Sequence, residues 1–251
     1  MITISIVDYA PNRVMPAHSH ETLGISVVIR GLVEETAGRR TEVAGIASAV
    51  IKPPGTVHAN RFGPQGARLL AIDISPEVAE DLLGHHRFLG QWQWVRVMRA
   101  LGVACRTLSD VSRVRPLAGD AVENLAVELV AALDGEAPAS RGAAPSWLVR
   151  VHQRLDDDFA TPFRVRELAS EAGVHPVYLA RRFRRHYGCS VLEYLRTVRL
   201  RAAMQELADA ARPLSEVAIR VGFADQSHLT RALRATTGLT PRAYRRLARS
   251  A

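Results

Sequence analysis

The chain has 251 residues, 47% of them hydrophobic, with a formal charge of +8. That length suits two ordinary domains, and that apolar share lies in the globular range, so disorder is not its default state. No apolar run reaches the roughly 18 residues that cross a bilayer, and the start MITISIVDYAPNRV lacks the basic stretch and apolar run of a signal peptide.

Two cysteines, Cys105 and Cys189, stand far apart with no metal-type spacing, so the sequence predicts free thiols and a cytoplasmic protein. The charge is unevenly placed. Residues 147–251 hold 19 arginines against 10 acids, whereas residues 1–146 hold 14 Lys/Arg against 15 acids. The excess positive charge belongs to the C-terminal part alone and points to a polyanionic partner for that part. Lys52 is the only lysine. Compositional bias accounts for arginine in place of lysine, but not for the split between the halves.

In chain order, residues 1–75 carry short pieces, ITISIV, GISVVIRG, LVEETAG, ASAVIKPPG and RLLAIDIS. Their β-branched residues and Gly/Pro punctuation predict a small antiparallel sandwich or barrel. At SPEVAEDLLG the period becomes helical, with Ser75 as the expected cap, Pro76 at the first position and Glu77 near the positive end of the dipole. Two longer helices are predicted around QWQWVRVMRALGVACRTL (residues 91–108) and PLAGDAVENLAVELVAALDG (116–135). In the second, Ala118, Val122, Leu125, Leu129 and Ala132 form one stripe. Such a helix closes the core of the β domain or pairs with its twin in a second subunit. Trp92 and Trp94 are core or pocket aromatics. The stretch GEAPASRGAAPS, residues 135–146, reads as a linker.

Beyond it the sequence repeats. VRELASEAG (165–173) matches LSEVAIRVG (214–222), and YLARRFRRHYGCSVLEYL (178–195) matches HLTRALRATTGLTPRAYR (228–245). Ala169 and Ala218 leave room for a close helix, and Gly173 and Gly222 end a helix in the left-handed conformation. A second helix then starts at Pro176 or after Asp225, held by Leu179/Phe183 or Leu229/Leu233. Each copy is a helix-turn-helix. Residues 190–209 between them predict a helix of about 30 Å, close to the roughly 34 Å between successive major-groove openings on one face of DNA.

GFADQSHLTRALRATTGLTPRAYR resembles the signature of the AraC/XylS family of bacterial transcription regulators, and the resemblance covers about residues 147–247. His228, Leu229 and Leu233 replace the usual Tyr, Phe and Phe. The first copy, GCSVLEYLR, lacks the usual Thr-Pro, so its cap is built otherwise. The resemblance implies double-stranded DNA as partner, with both second helices in the major groove. Val177, Ala180 and Arg181 face DNA in the first unit, and Gln226, Ser227, His228 and Arg231 in the second. Arg181 and Arg231 suit bidentate contact with guanine. Arg184, Arg185, Arg234 and the tail RAYRRLARS suit phosphates.

In the N-terminal part, His18, His20 and His58 stand in PAHSHETLGISVVIRG and IKPPGTVHANRF. The patterns H-x-H and P-x-G-x-x-H are similar to the two cupin-barrel motifs, and cupin-like sensor domains are common in this regulator family. That resemblance implies a divalent metal at the three histidines, a set suited to iron, zinc, nickel or copper. The place of the cupin glutamate is held by Gly24, and Glu21 comes too early. In the regulators such histidines also serve as scaffold or touch a small organic ligand. The pair His85-His86 reads as surface.

The resulting fold expectation is α+β. A cupin-like β-barrel with following helices (1–136) senses a ligand and dimerises. A linker (137–146) then leads to an all-α DNA-binding domain (147–251), with helix-turn-helix units at about 165–187 and 214–237. The implied function is sequence-specific, ligand-responsive transcription regulation without enzymatic activity. The implied partners are a small-molecule effector, a second copy of the chain and, for an activator, RNA polymerase, with no membrane. The alternatives are a cupin-type metal-binding protein or metalloenzyme with an accessory nucleic-acid-binding domain, and a constitutive DNA binder whose N-terminal half only dimerises.

Overall fold

The computed structural model describes residues 1–96, 98, 101–105, 119–134, 144–209 and 212–249. These form two compact units, Met1–Ala137 with Arg234–Ala251, and Pro138–Leu233.

The first unit is built on an antiparallel sheet of seven strands: β1 (Ile2–Tyr9), β2 (Val14–His18), β3 (Leu23–Ala37), β4 (Arg40–Ala44), β5 (Ser48–Lys52), β6 (His58–Ile74) and β7 (Gln93–Arg96). The order is β1-β6-β3-β5-β7, with β2 also on β6 and β4 also on β3. The expected pieces GISVVIRG and LVEETAG merge into one 15-residue strand, β3. The chain runs on because Gly31, at φ +83°, lets it bend where a Cβ would run into the Gly66 carbonyl. The ladder between β3 and β6 breaks register there and again between Val28 and Arg30.

The helix expected from residue 91 is corrected at its start. Gln93–Arg96 is a strand that pairs with Ser48–Ile51. Without it, the β5 backbone groups would form an unpaired edge, and closing that edge outweighs the helical pattern. Residues 101–105 are helical. The Ser75 cap is also corrected. Helix α1 (Pro76–His85) has Ser75 at its N-cap without a side-chain capping bond, and the hydroxyl oxygen accepts from the Met1 amino group at 2.6 Å. Among the described side chains of α2 (Gly119–Asp134), Ala126, Leu129, Val130 and Leu133 are buried, and Val122 and Ala132 of the expected stripe are half-buried. Ala118 lies outside the described residues, as do the Leu125 side chain and most of the linker.

The second unit contains α3 (Ser146–Asp157), α4 (Val165–Glu171), α5 (Pro176–Tyr187), α6 (Val191–Asp209) and α7 (Leu214–Arg220). Helix α8 (Gln226–Thr237) crosses the boundary between the units, and α9 (Pro241–Arg249) lies wholly in the first. Within the second unit, Leu148, Val151, Leu155, Leu168, Ala169, Leu179, Phe183, Val191 and Leu195 form one core. Helix α6 buries Val191, Leu195 and Val198 along one stripe, and Leu200, Met204 and Leu207 along another. The sequence places Ala202 on the first stripe as well, at helical spacing after Val198, and there it is half-buried.

Candidate nucleic-acid interface and ligand site

Each copy of the repeat makes the same backbone turn. Gly173 and Gly222 follow α4 and α7 at φ +69° and +86°, and Ala169 and Ala218 are fully buried. Helix α5 opens on Pro176, with His175 Nδ1 accepting from the Val177 amide at 3.3 Å. Helix α8 opens with Asp225 Oδ1 accepting from the His228 amide at 2.7 Å. Leu179, Phe183, Leu229 and Leu233 are fully buried. These anchors leave the opposite faces in solvent. Val177, Ala180, Arg181, Arg184, Arg185, Gln226, Ser227, Arg231 and Arg234 are exposed, and His228 is half-buried against the Phe223 ring.

Caps after each unit differ. Ser190 and Glu193 bond reciprocally, at 2.7 Å (Ser190 amide to Glu193 Oε2) and 3.2 Å (Glu193 amide to Ser190 Oγ). This capping box stands where the Thr-Pro is missing. After the second copy of the repeat, Thr240 and Pro241 open α9, with Thr240 Oγ1 accepting from the Ala243 amide.

In the sheet unit, β2 and β6 bring His18, His20 and His58 together, with one ring nitrogen of each within 4.8 Å of the others. His18 Nδ1 lies 2.7 Å from the Pro16 carbonyl and His58 Nδ1 lies 3.0 Å from that of Thr56. Carbonyls only accept, so both Nδ1 atoms carry a proton and Nε2 is the ring nitrogen left to face the cluster. His58 is buried, and its Nε2 has no hydrogen-bond partner among the described residues. Burial, then the Lys52 ammonium, pushes the His20 imidazole below its usual value. Burial is also the largest cause of the downward shift at His58, with Lys52 adding to it and the bond to Thr56 opposing it. Both shifts favour the neutral imidazole, the form that ligates.

Beside them lies a group that sequence reasoning missed. Glu35 on β3 is 1% exposed. Its carboxylate accepts from Asn60 Nδ2 at 2.7 Å and from Trp92 Nε1 at 2.6 Å, and Lys52 Nζ stands 3.7 Å away. The one sequence signal was alternation: Val33, Glu35, His58 and Asn60 point to the buried side of β3 and β6. Trp94 packs against the cluster of Val28, Val33, Phe62, Ala67 and Leu69. Gly24, in the place of the cupin glutamate, pairs with Lys52 in the ladder, and Glu21 is exposed. His85 turns its Nδ1 to its own helix, at the Asp81 carbonyl, on the surface.

Two family models match the chain, a helix-turn-helix domain over residues 168–247 and an AraC-like ligand binding domain over residues 5–144. The regulator GlxA of Rhizobium meliloti is 30% identical over 112 residues, 45% of this chain and 35% of that protein. The activator RhaR of Escherichia coli is 26% identical over 172 residues, 65% of this chain and 61% of that one. The chain thus spans less than two thirds of these curated relatives. Among solved structures, the DNA-binding domain of AdpA in complex with a target DNA is 30% identical, covering 42% of this chain and 97% of that one at a TM-score of 0.40. ToxT from Vibrio cholerae is 11% identical, covering 100% of this chain and 99% of that one at a TM-score of 0.42. No helix among the described residues is long and apolar enough to cross a membrane. Because the ligand-binding model alone spans more than half the sequence and the helix-turn-helix model takes in the repeat, the chain belongs to the AraC family.

Proposed function

We propose that the protein is a ligand-responsive transcription regulator that reads double-stranded DNA with α5 and α8. The observation that carries this reading is the matched pair of exposed arginines, Arg181 and Arg231, each one turn into a helix whose other face is fully buried. Arg181 and Arg231 read guanines, with Val177, Ala180, Gln226, Ser227 and His228 beside them, while Arg184, Arg185 and Arg234 meet phosphates. The protein works in the cytoplasm, as a homodimer through its N-terminal domain and, where it activates, with RNA polymerase. Residues 1–136 sense the effector, and DNA binding belongs to 147–251. Selection of bound fragments from a genomic DNA pool by the full chain tests the reading. A two-part consensus is expected, with the double variant Arg181→Ala/Arg231→Ala recovering none. Equal recovery of random sequence by the parent chain would overturn it.

The sensing site is the histidine cluster with the Glu35 network. The three imidazoles fit the divalent metal that the cupin resemblance implies, because two Nδ1–H groups are tied to carbonyls and the buried His58 Nε2 lacks a protein partner. His18, His20 and His58 would hold the ion through nitrogen, and the ion would supply a Lewis-acidic anchor for an effector. Lys52, beside a Glu35 carboxylate already held by Asn60 and Trp92, offers a neighbouring cation to an anionic effector group. Elemental analysis of the purified chain is expected to find a stoichiometric metal that is lost in His58→Ala. A stoichiometric metal unaffected by that substitution, or none after loading with zinc or nickel, refutes the assignment.

A further inference from the structure

Tyr194 and Tyr244 hold matched positions in the repeat, yet their hydroxyls go to different places. Tyr194, half-buried, donates to Asp156 Oδ1 at 2.7 Å, a partner on α3 in the same helical unit. Tyr244, fully buried, donates to the Ile29 carbonyl of β3 at 2.9 Å. Ile29 lies where the ladder breaks register between Val28 and Arg30. A residue at such a break falls outside the one-to-one pairing, so its carbonyl is open to an outside donor.

A second bond reinforces the first. Arg68, the β6 partner of Arg30 across that break, donates from Nη1 to the Leu247 carbonyl at 2.8 Å. Its Nη2 stands 3.2 Å from Asp8 on β1. Leu247 is in the last turn of α9, where carbonyls lack intrahelical donors. Only Gly238, Leu239 and Thr240 separate α9 from the reading helix α8. That turn is itself tied, with the Leu239 amide on Thr237 Oγ1 and the Tyr244 amide on the Thr240 carbonyl.

We infer that Tyr244 and Arg68 are positioning residues for the C-terminal end of α8, and that the sheet supplies to the second copy of the repeat the support the first copy finds in Asp156. The inference rests on the proposal that α5 and α8 read DNA.

Tyr244→Phe removes the hydroxyl and keeps the ring. In the full chain, amide hydrogen exchange across 226–249 is expected to speed up roughly tenfold, the usual effect of leaving one buried acceptor unpaired, with 165–187 unchanged. On the selected DNA, Tyr244→Phe should lose several-fold of the base preference at the α8 half-site and none at the α5 half-site. Tyr194→Phe should do the reverse. A structural lesion would weaken both half-sites alike. Unchanged exchange across 226–249, or equal loss at both half-sites, overturns the inference. Arg231→Ala serves as the control for the underlying reading. If it too leaves the α8 half-site untouched, the reading of DNA by α8 has failed, and the exchange measurement still decides the support by Tyr244.

Discussion

In the first helix-turn-helix unit the space beside Gly173 is open, with nothing within 4 Å of the position a Cβ would take. In the second, Gly222 meets the Ala160 carbonyl oxygen at 2.8 Å and Arg199 Nε at 2.7 Å at that same point. The two glycines share a left-handed backbone and a role in the turn, but only one is also hemmed in. The tyrosines divide in the same way, Tyr194 on Asp156 and Tyr244 on Ile29. A duplicated sequence thus reproduces its local geometry while each copy acquires its own neighbours. Substitutions at matched positions should consequently differ in size, and that difference can be measured.

The largest difference is expected at the glycines. Gly173→Ala should cost about 1–2 kcal/mol, the strain of a left-handed non-glycine residue. Gly222→Ala adds a clash with backbone and should cost about 2–4 kcal/mol in all. Urea denaturation of the full-length variants compares them, and equal losses would mean that the Ala160 and Arg199 contacts relax freely.

Next come Arg181 and Arg231, the arginines proposed to read DNA. Arg231→Ala should cost about 1–3 kcal/mol and relax preference at one or two base pairs, and Arg181→Ala should do so at the other half-site. Titrations on the selected site and its single-base variants resolve this. Retained base preference with a flatter salt dependence would make Arg231 a phosphate contact.

Arg249, exposed at the end of α9, tests the tail. Arg249→Ala should weaken all sequences alike and lower the salt slope by about one unit at most. A sequence-dependent loss would place a reading role outside α5 and α8.

The smallest effect concerns Cys189, beside the glycine that ends α5. Burial pushes its thiol up, with Glu193 adding to the shift and Arg184 opposing it. A raised value means less thiolate at a given pH, so alkylation near pH 8 should run more slowly than for a free thiol and catch up only as the pH rises further. Alkylation at the free-thiol rate would contradict this and show the first unit to be more open at its end than α5 and α6 imply.

Much of the helical half was legible because its signals are local. Gly173 and Gly222, the Asp225 cap and the two stripes of α6 follow from backbone conformation and helical period, which act over a few residues. The sheet half was legible as strands but not in its joins. Gln93–Arg96 had a pattern that suits a helix, and its pairing with Ser48–Ile51 depends on an edge more than 40 residues away in the chain. Glu35 gave no local sign of its role, since Asn60 and Trp92 come to it from 25 and 57 residues away.

By itself, the sequence determined the family, the repeat and the pattern of three histidines, all of which rest on spacing along the chain. Tertiary structure alone decided that His18 and His58 turn their Nδ1 atoms to carbonyls and leave Nε2 for a ligand, that Glu35 is buried among donors, and that Tyr244 reaches Ile29 across 215 residues. The physical reason is the same in each case. A hydrogen bond depends on where two groups meet after folding, and an orphaned carbonyl at a register break has no signature in the residue that carries it.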